Sequence, residues 1–336
     1  MENNADISLE ELLAALLDDS NPLSARYLYR FSDLNPEEIA ALRNDWGDIT
    51  IERRQRLMED LEELEDTNTI VSFEHVFRLA MEDEDPLVRK FAIRSLWNYE
   101  NPILIPVFID LMEHDNSDQV RAQAASALGR FIYLGELEEI PEQMANSIVD
   151  KLLTIMAGEA EESLRLRALE SLGFSGRESI QDLLNEAIEL GDENWVASAL
   201  VAIGRSSDDD WAPSVLDKLD DDRAMVRIEA IRAAGELGLQ AATPAMLYLL
   251  ESEDDEIRLA AAWALSEIGG EGIRDGLEML LVESGDETEE EVIEEALENL
   301  TLTEEIATFN LLDISEEDLE EFEGFRGPPS REDSKD

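Results

Sequence analysis

The chain has no cysteine, which removes disulfides, thiolate metal sites and cysteine nucleophiles together. Histidine is almost absent too: His75 and His114 are the only two. Positive charge is scarce, with 26 Lys and Arg against 82 Asp and Glu, for a net charge of −56. Bare nucleic acid and anionic lipid both need a cationic surface, so neither is an expected partner. No apolar run approaches membrane-spanning length, and the N-terminal MENNADISLEELLAALLDD lacks the basic region of a signal peptide. A soluble cytoplasmic protein with no membrane partner is the expectation. No G-x-S-x-G, P-loop or dinucleotide fingerprint occurs.

What is present is a folded composition, 44% apolar, arranged with a period. The stretch from Asp221 to Gly269 repeats itself: Val226-Arg227 is followed by Ala230, Ala233 and Ala234, and Ile257-Arg258 by Ala261, Ala264 and Leu265. The same pattern aligns on Val88-Arg89, Val120-Arg121, Leu164-Arg165, Trp195-Val196 and Val292-Ile293, with steps of 31 to 35 residues and one of 44. Three residues after the arginine position stands alanine in all seven, from Ala92 to Ala296, and seven after it an apolar residue, from Leu96 to Leu300. Those spacings share one helical face, and alanine there lets helices approach closely. Complementary first helices precede each pattern, among them ILIPVFIDLME, SIVDKLLTIMA and TPAMLYLLES. No window reads as strand. The expectation is an all-α stacked solenoid of two-helix repeats.

Residues 1–66 read as an N-terminal helical cap, with a degenerate first repeat as the alternative. Ser8 to Glu11 suggests a capping box, Asn35 caps PEEIAALRND with Pro36 at its first position, and Thr50 opens IERRQRLMEDLEEL. Residues 67–300 hold about seven repeats, the 44-residue step being a longer connection through Phe131 to Met144. Gly129, Gly173, Gly204 and Gly269 fall where left-handed helix ends are wanted. Residues 301–336 form an acidic C-terminal segment: LLDISEEDLEEFEGF suits a last capping helix or a linear motif, and RGPPSREDSKD has no core-forming content.

The V-R-x-x-A-x-x-A-L pattern resembles the HEAT repeats, and the unit of about 31 residues is most similar to their short phycobilisome-lyase-type subgroup. The resemblance implies a right-handed superhelix whose second helices line its concave side. It says little of chemistry, since that family includes scaffolds, transport receptors, bilin lyases and a di-iron hydroxylase. The hydroxylase branch uses repeated His-Glu pairs as iron ligands, and here neither His75 nor His114 is followed by Glu. Val196 and Ile293 replace the motif arginine, so those repeats are expected to pack differently.

The acidic clusters DDSN, EDED, SDDDW, DDDR and EDDE lack the spacing and glycine of a calcium loop. They read as caps before second helices, where carboxylates accept from orphan amides. Gly269-Gly270-Glu271-Gly272 reads as a turn between repeats. Neither catalytic, cofactor nor metal residues are assigned. Candidate partner-binding residues are the scarce cations left on second helices once the motif arginines are set aside: Lys90, Arg94, Arg130, Arg167, Arg205 and Arg232. A guanidinium row suits carboxylates or phosphates on a peptide, whereas a structural reading has them neutralise neighbouring acids. Of the tryptophans able to stack on a ligand, Trp195 takes the motif valine position and belongs in the core, while Trp263 falls off the apolar face.

The function expected is therefore a non-catalytic protein–protein interaction scaffold. Its partner would be basic where it meets the acidic surface and acidic along the arginine row. The alternatives are a bilin-lyase-type enzyme or subunit, implied by the resemblance alone, and an acidic mimic of nucleic acid that occupies basic proteins.

Overall fold

The computed structural model describes residues 7–32 and 34–311. Those residues are all-α, with no strand among them, and the chain divides into two compact blocks, residues 1–206 and 207–336.

The first block opens with α1 (Leu9–Leu17), α2 (Ala25–Leu28), α3 (Pro36–Asp45) and α4 (Ile51–Thr67). The α3 start is a complete capping box: the Asn35 side chain accepts from Glu37 and Glu38 amides, and Glu38 accepts from the Asn35 amide. The Ser8 box is only half made. Ser8 accepts the Glu11 amide, but the Glu11 carboxylate is taken by Arg26 and the Tyr27 hydroxyl. Thr50 likewise gives α4 no side-chain cap, since its hydroxyl bonds Asp19.

Four helix pairs follow: α5 (Glu74–Ala80) with α6 (Pro86–Ser95), α7 (Leu104–His114) with α8 (Asp118–Glu136), α9 (Glu142–Ala157) with α10 (Glu162–Leu172), and α11 (Glu178–Leu190) with α12 (Glu193–Arg205). Second helices stack on second helices, α4 on α6, α6 on α8, α8 on α10 and α10 on α12. The second block repeats the plan with α13 (Ala212–Lys218), α14 (Ala224–Glu236), α15 (Thr243–Leu249), α16 (Asp255–Ile268), α17 (Ile273–Glu283) and α18 (Glu287–Leu311). There α14 stacks on α16 and α16 on α18. The segment read as a final cap or linear motif lies, from residue 312, outside the described residues.

The seven patterned alanines are fully buried, as are the apolar residues four positions on. Gly129 and Gly173, at the eighth position after the motif arginine, serve close approach and not the left-handed helix end expected of them, and Gly235 at the same position does likewise. A Cβ on Gly173 would lie 2.5 Å from Ala202 Cα, one on Gly235 2.8 Å from Ala264 Cα, and one on Gly129 2.9 Å from Ser171 Oγ. Of the four glycines singled out, only Gly269 has positive φ (65°).

The motif arginines stitch turns and repeats. Arg89, Arg227 and Arg258 each donate to a carbonyl six residues back, on Asp83, Asp221 and Ser252, at 2.6–2.8 Å. Arg89 also grips both oxygens of Asp115 in the next turn, and Arg258 reaches Glu289 at 2.7 Å. Arg165 instead lies 4.9 Å over the Trp195 ring. Where the arginine is missing the position turns apolar and inward, with Val196 and Ile293 buried.

Acidic clusters do cap helices: Asp85, Asp192 and Asp254 each accept two backbone amides at the start of α6, α12 and α16. SDDDW departs from the expectation, because Asp208 caps the short 3₁₀ turn leading into a first helix, α13. Asp83 does something else. Its side chain is completely buried, accepts Arg54 at 2.6 Å and the Trp46 indole N–H at 2.5 Å, and takes the Asp85 amide at 2.7 Å. It ties the N-terminal helices to the first full repeat.

The 44-residue step is mostly helix and only briefly loop. The α8 helix runs 19 residues, and its added turns bury Phe131, Ile132 and Leu134. It ends in a Schellman motif: Glu138 N–H donates to the Gly135 carbonyl and Glu139 N–H to that of Leu134. The left-handed position is held by Glu138 (φ 61°), whereas the matching end of α14 uses Gly238 (φ 62°).

Two stability predictions follow from these contacts. Asp83→Ala removes the buried partner of Arg54, leaving it only Glu84 at 3.0 Å, and unpairs the Trp46 N–H; it is expected to lose about 3 kcal/mol in denaturant unfolding. Glu138→Gly relieves a left-handed side chain and is expected to gain about 1 kcal/mol in the same assay, with the m-value unchanged.

Candidate functional site

The six singled-out cations all sit on second helices: Lys90 and Arg94 on α6, Arg130 on α8, Arg167 on α10, Arg205 on α12 and Arg232 on α14. Most meet acids. Arg94 forks onto Glu62 of α4, Arg130 bonds Glu100, Arg167 meets Glu170 at 2.6 Å, and Arg232 meets Glu229 at 2.7 Å. Lys90 is half-buried. Such pairs, partly in solvent, contribute about 0–1 kcal/mol each, so a partner's carboxylate exchanges for the resident one at little expense.

In the first block the structure gathers Arg130 and Arg205 around aromatic side chains. The Phe174 ring lies 5.7 Å from Tyr133 and 6.5 Å from Trp97. Arg130 covers the Tyr133 ring at 5.3 Å and Arg205 covers Phe174 at 5.0 Å. Tyr133 is exposed, while Trp97 and Phe174 are half-buried. Arg205 is aimed by a hydrogen bond to the Glu170 carbonyl (3.0 Å). The Glu170 carboxylate is itself buried and satisfied on both oxygens, by Ser198 at 2.7 Å and Arg167 at 2.6 Å. Lys90 and Arg94 stand apart from this cluster. Trp195, as expected, is core.

In the second block Arg232 and Trp263 line one cleft of about 470 Å³ on the faces of α14, α16 and α18. Trp263 is 40% exposed, and its indole N–H donates to Glu267 at 3.1 Å, which fixes the ring. Glu236 and Glu256 add two carboxylates, and Leu259 and Val292 an apolar wall. Burial pushes the Glu267 carboxyl up to about 6, with Glu236 adding to the rise and the Trp263 bond opposing it.

Sequence reasoning found Arg232 and Trp263 but missed Glu236, Glu267, Tyr133 and Phe174. A signal existed for three of the four. Counting nine residues on from the arginine position gives Arg130, Phe174, Arg205, Glu236 and Glu267 in successive repeats. The series begins at Asn98 and ends at Leu302, and between them it carries guanidinium or aromatic groups at Arg130, Phe174 and Arg205 and carboxylates at Glu236 and Glu267. Tyr133 had none, because it lies on helical turns that only the α8 extension supplies.

Among the described residues, no group of three or more His, Asp or Glu side chains is placed to hold a metal ion, and no helix is long and apolar enough to cross a membrane.

The family model for HEAT repeats matches residues 73–142 and 212–298. The short phycobilisome-lyase-type subgroup is not distinguished by that match. No curated protein matches the chain at a significant level. Among solved structures it is similar to human deoxyhypusine hydroxylase (19% identity, 77% of this chain and 95% of that one, TM-score 0.34). It is also similar to YibA of E. coli (17%, 84% and 99%, TM-score 0.40) and to Kap95p bound to RanGDP (13%, 87% and 45%, TM-score 0.41). Likeness at that level bears on neither activity nor partner.

The Glu267 environment generates a stability prediction. An acid whose folded value lies above its ordinary 4.5 loses stability as pH rises from 4.5 through about 6. Glu267→Gln keeps an acceptor for the Trp263 N–H and removes that loss. Its Tm should exceed the wild type's at pH 7.5, and the gap should close toward pH 4.5 in a thermal melt series.

Proposed function

Because the chain carries HEAT repeats, we propose that it is a non-catalytic scaffold that holds a protein or peptide partner along the solvent face of its second helices. The observation that carries this reading is the clustering of exposed Tyr133 with half-buried Phe174, Arg130 and Arg205. Aromatic and guanidinium groups are the side chains that concentrate binding energy at protein interfaces. Here Arg130, Phe174 and Arg205 share one position of the repeat, and the α8 extension adds Tyr133 beside them. Partner carboxylates would replace Glu100 on Arg130, and an apolar side chain would cover the Tyr133 ring. The net charge of −56 adds long-range attraction for basic regions of the same partner.

That charge also supports a second reading, an acidic surface that occupies basic proteins without shape selection. Capture from native extract at low and at high salt separates the two. For a scaffold, one or a few proteins stay bound at high salt and are lost from the Arg130→Gln, Arg205→Gln, Tyr133→Ala triple variant, with helicity checked by circular dichroism. A broad set of basic proteins, all released by salt and all retained by the variant at low salt, would overturn the scaffold reading.

A further inference from the structure

The cleft of the second block combines three features whose shared complement is a single chemical group. One wall is the exposed face of Trp263, held by its N–H bond to Glu267. Carboxylates of Glu236, Glu256 and Glu267 line the same cleft, which measures about 470 Å³, and Leu259 and Val292 make its apolar side. Among the described residues the one cation there is Arg232, which is already engaged by Glu229 at 2.7 Å and lies 3.9 Å from Glu256. An indole face attracts a cation, carboxylates neutralise it, and an apolar wall accepts the methylene stem that carries it. We propose that this cleft binds a lysine or arginine side chain of a basic peptide segment, with Trp263 stacking on the cationic head and Glu236 and Glu267 pairing with it. The proposal rests on the scaffold reading and deepens it by naming the chemistry of one contact.

Glu267 strengthens the assignment by contrast with Glu170. Both are acids on second helices, turned toward the neighbouring second helix. Glu170 has Arg167 and Ser198 on its two oxygens, whereas among the described residues Trp263 is the one donor to Glu267. Among the described residues no cation offsets the burial that pushes Glu267 up to about 6. The notch it occupies depends on Gly235, since a Cβ there would collide with the Glu267 carboxylate. A partly buried carboxylate that costs the fold stability is poised for a cation supplied from outside.

The groups that face Glu267 across the cleft are Arg232 and Glu236 from α14 and Glu256 from its own helix, while α18 contributes Val292 to the lining. Binding should therefore tighten as Glu267 loses its proton between pH 5 and 7, and that dependence should flatten in Glu267→Gln.

The test is calorimetric titration of the full chain, at near-physiological salt, with a nine-residue peptide carrying three lysines, its arginine counterpart and its norleucine counterpart. Trp263→Ala and Glu267→Gln should each weaken the lysine and arginine peptides about tenfold, roughly the scale of one desolvated cation–aromatic contact. Trp263→Phe should keep most of the affinity, which guards against a folding defect in the alanine variant. Glu271→Gln, which removes an exposed acid in the turn after α16, should change affinity less than twofold. Norleucine should not bind. Equal losses in Glu271→Gln and Glu267→Gln, unchanged affinity in Trp263→Ala, or no binding of either basic peptide would each overturn the cleft assignment. The extract capture, repeated with Trp263→Ala, tells its failure from that of the scaffold: salt-resistant partners retained by this variant leave the scaffold standing without the cleft.

Discussion

The constraint on which the rest depends is the close approach of successive second helices. Position eight after the motif arginine in one repeat meets position six in the next: Gly129 against Ser171, Gly173 against Ala202, Gly235 against Ala264. The backbones are near enough that a methyl group would have to displace its neighbour. Because that contact forbids bulk, the larger side chains are confined to the positions on either side of it. Apolar ones go inward between first and second helices. Charged and aromatic ones fall at the ninth position, where Glu236 is exposed and Arg130, Phe174, Arg205 and Glu267 are half-buried.

Architecture was legible because it is written locally. A helix pair recurring at about 31 residues, with alanine and an apolar residue at fixed places after an arginine, follows from one repeat's own needs. The glycines were misread for a physical reason: helix-end and helix-contact glycines look alike in sequence, and only the neighbour 29 to 42 residues away tells Gly173 or Gly129 from Gly269. Asp83 was taken for one more capping acid, because its true partners, Arg54 and Trp46, lie 29 and 37 residues back, outside the repeat register.

The candidate surface was half legible. Cations were sorted correctly onto second helices, since helix phase is a sequence property. Which acids they meet, and which aromatic rings converge beneath them, depend on contacts between repeats. Those contacts divide one list of residues into two chemically opposite places, a guanidinium–aromatic cluster in the first block and an indole–carboxylate cleft in the second.

The arginine bond six residues back has a bearing on how such a chain grows. Arg89, Arg227 and Arg258 each close on a carbonyl inside their own repeat, so the lock travels with the segment it secures. A segment duplicated or excised whole therefore arrives with its turn geometry intact and needs from its neighbour a small residue facing the glycine and, for Arg89 and Arg258, an acid such as Asp115 or Glu289. Array length can drift by whole cassettes, and the ninth position of each new copy becomes a blank site on which a different surface chemistry can be written.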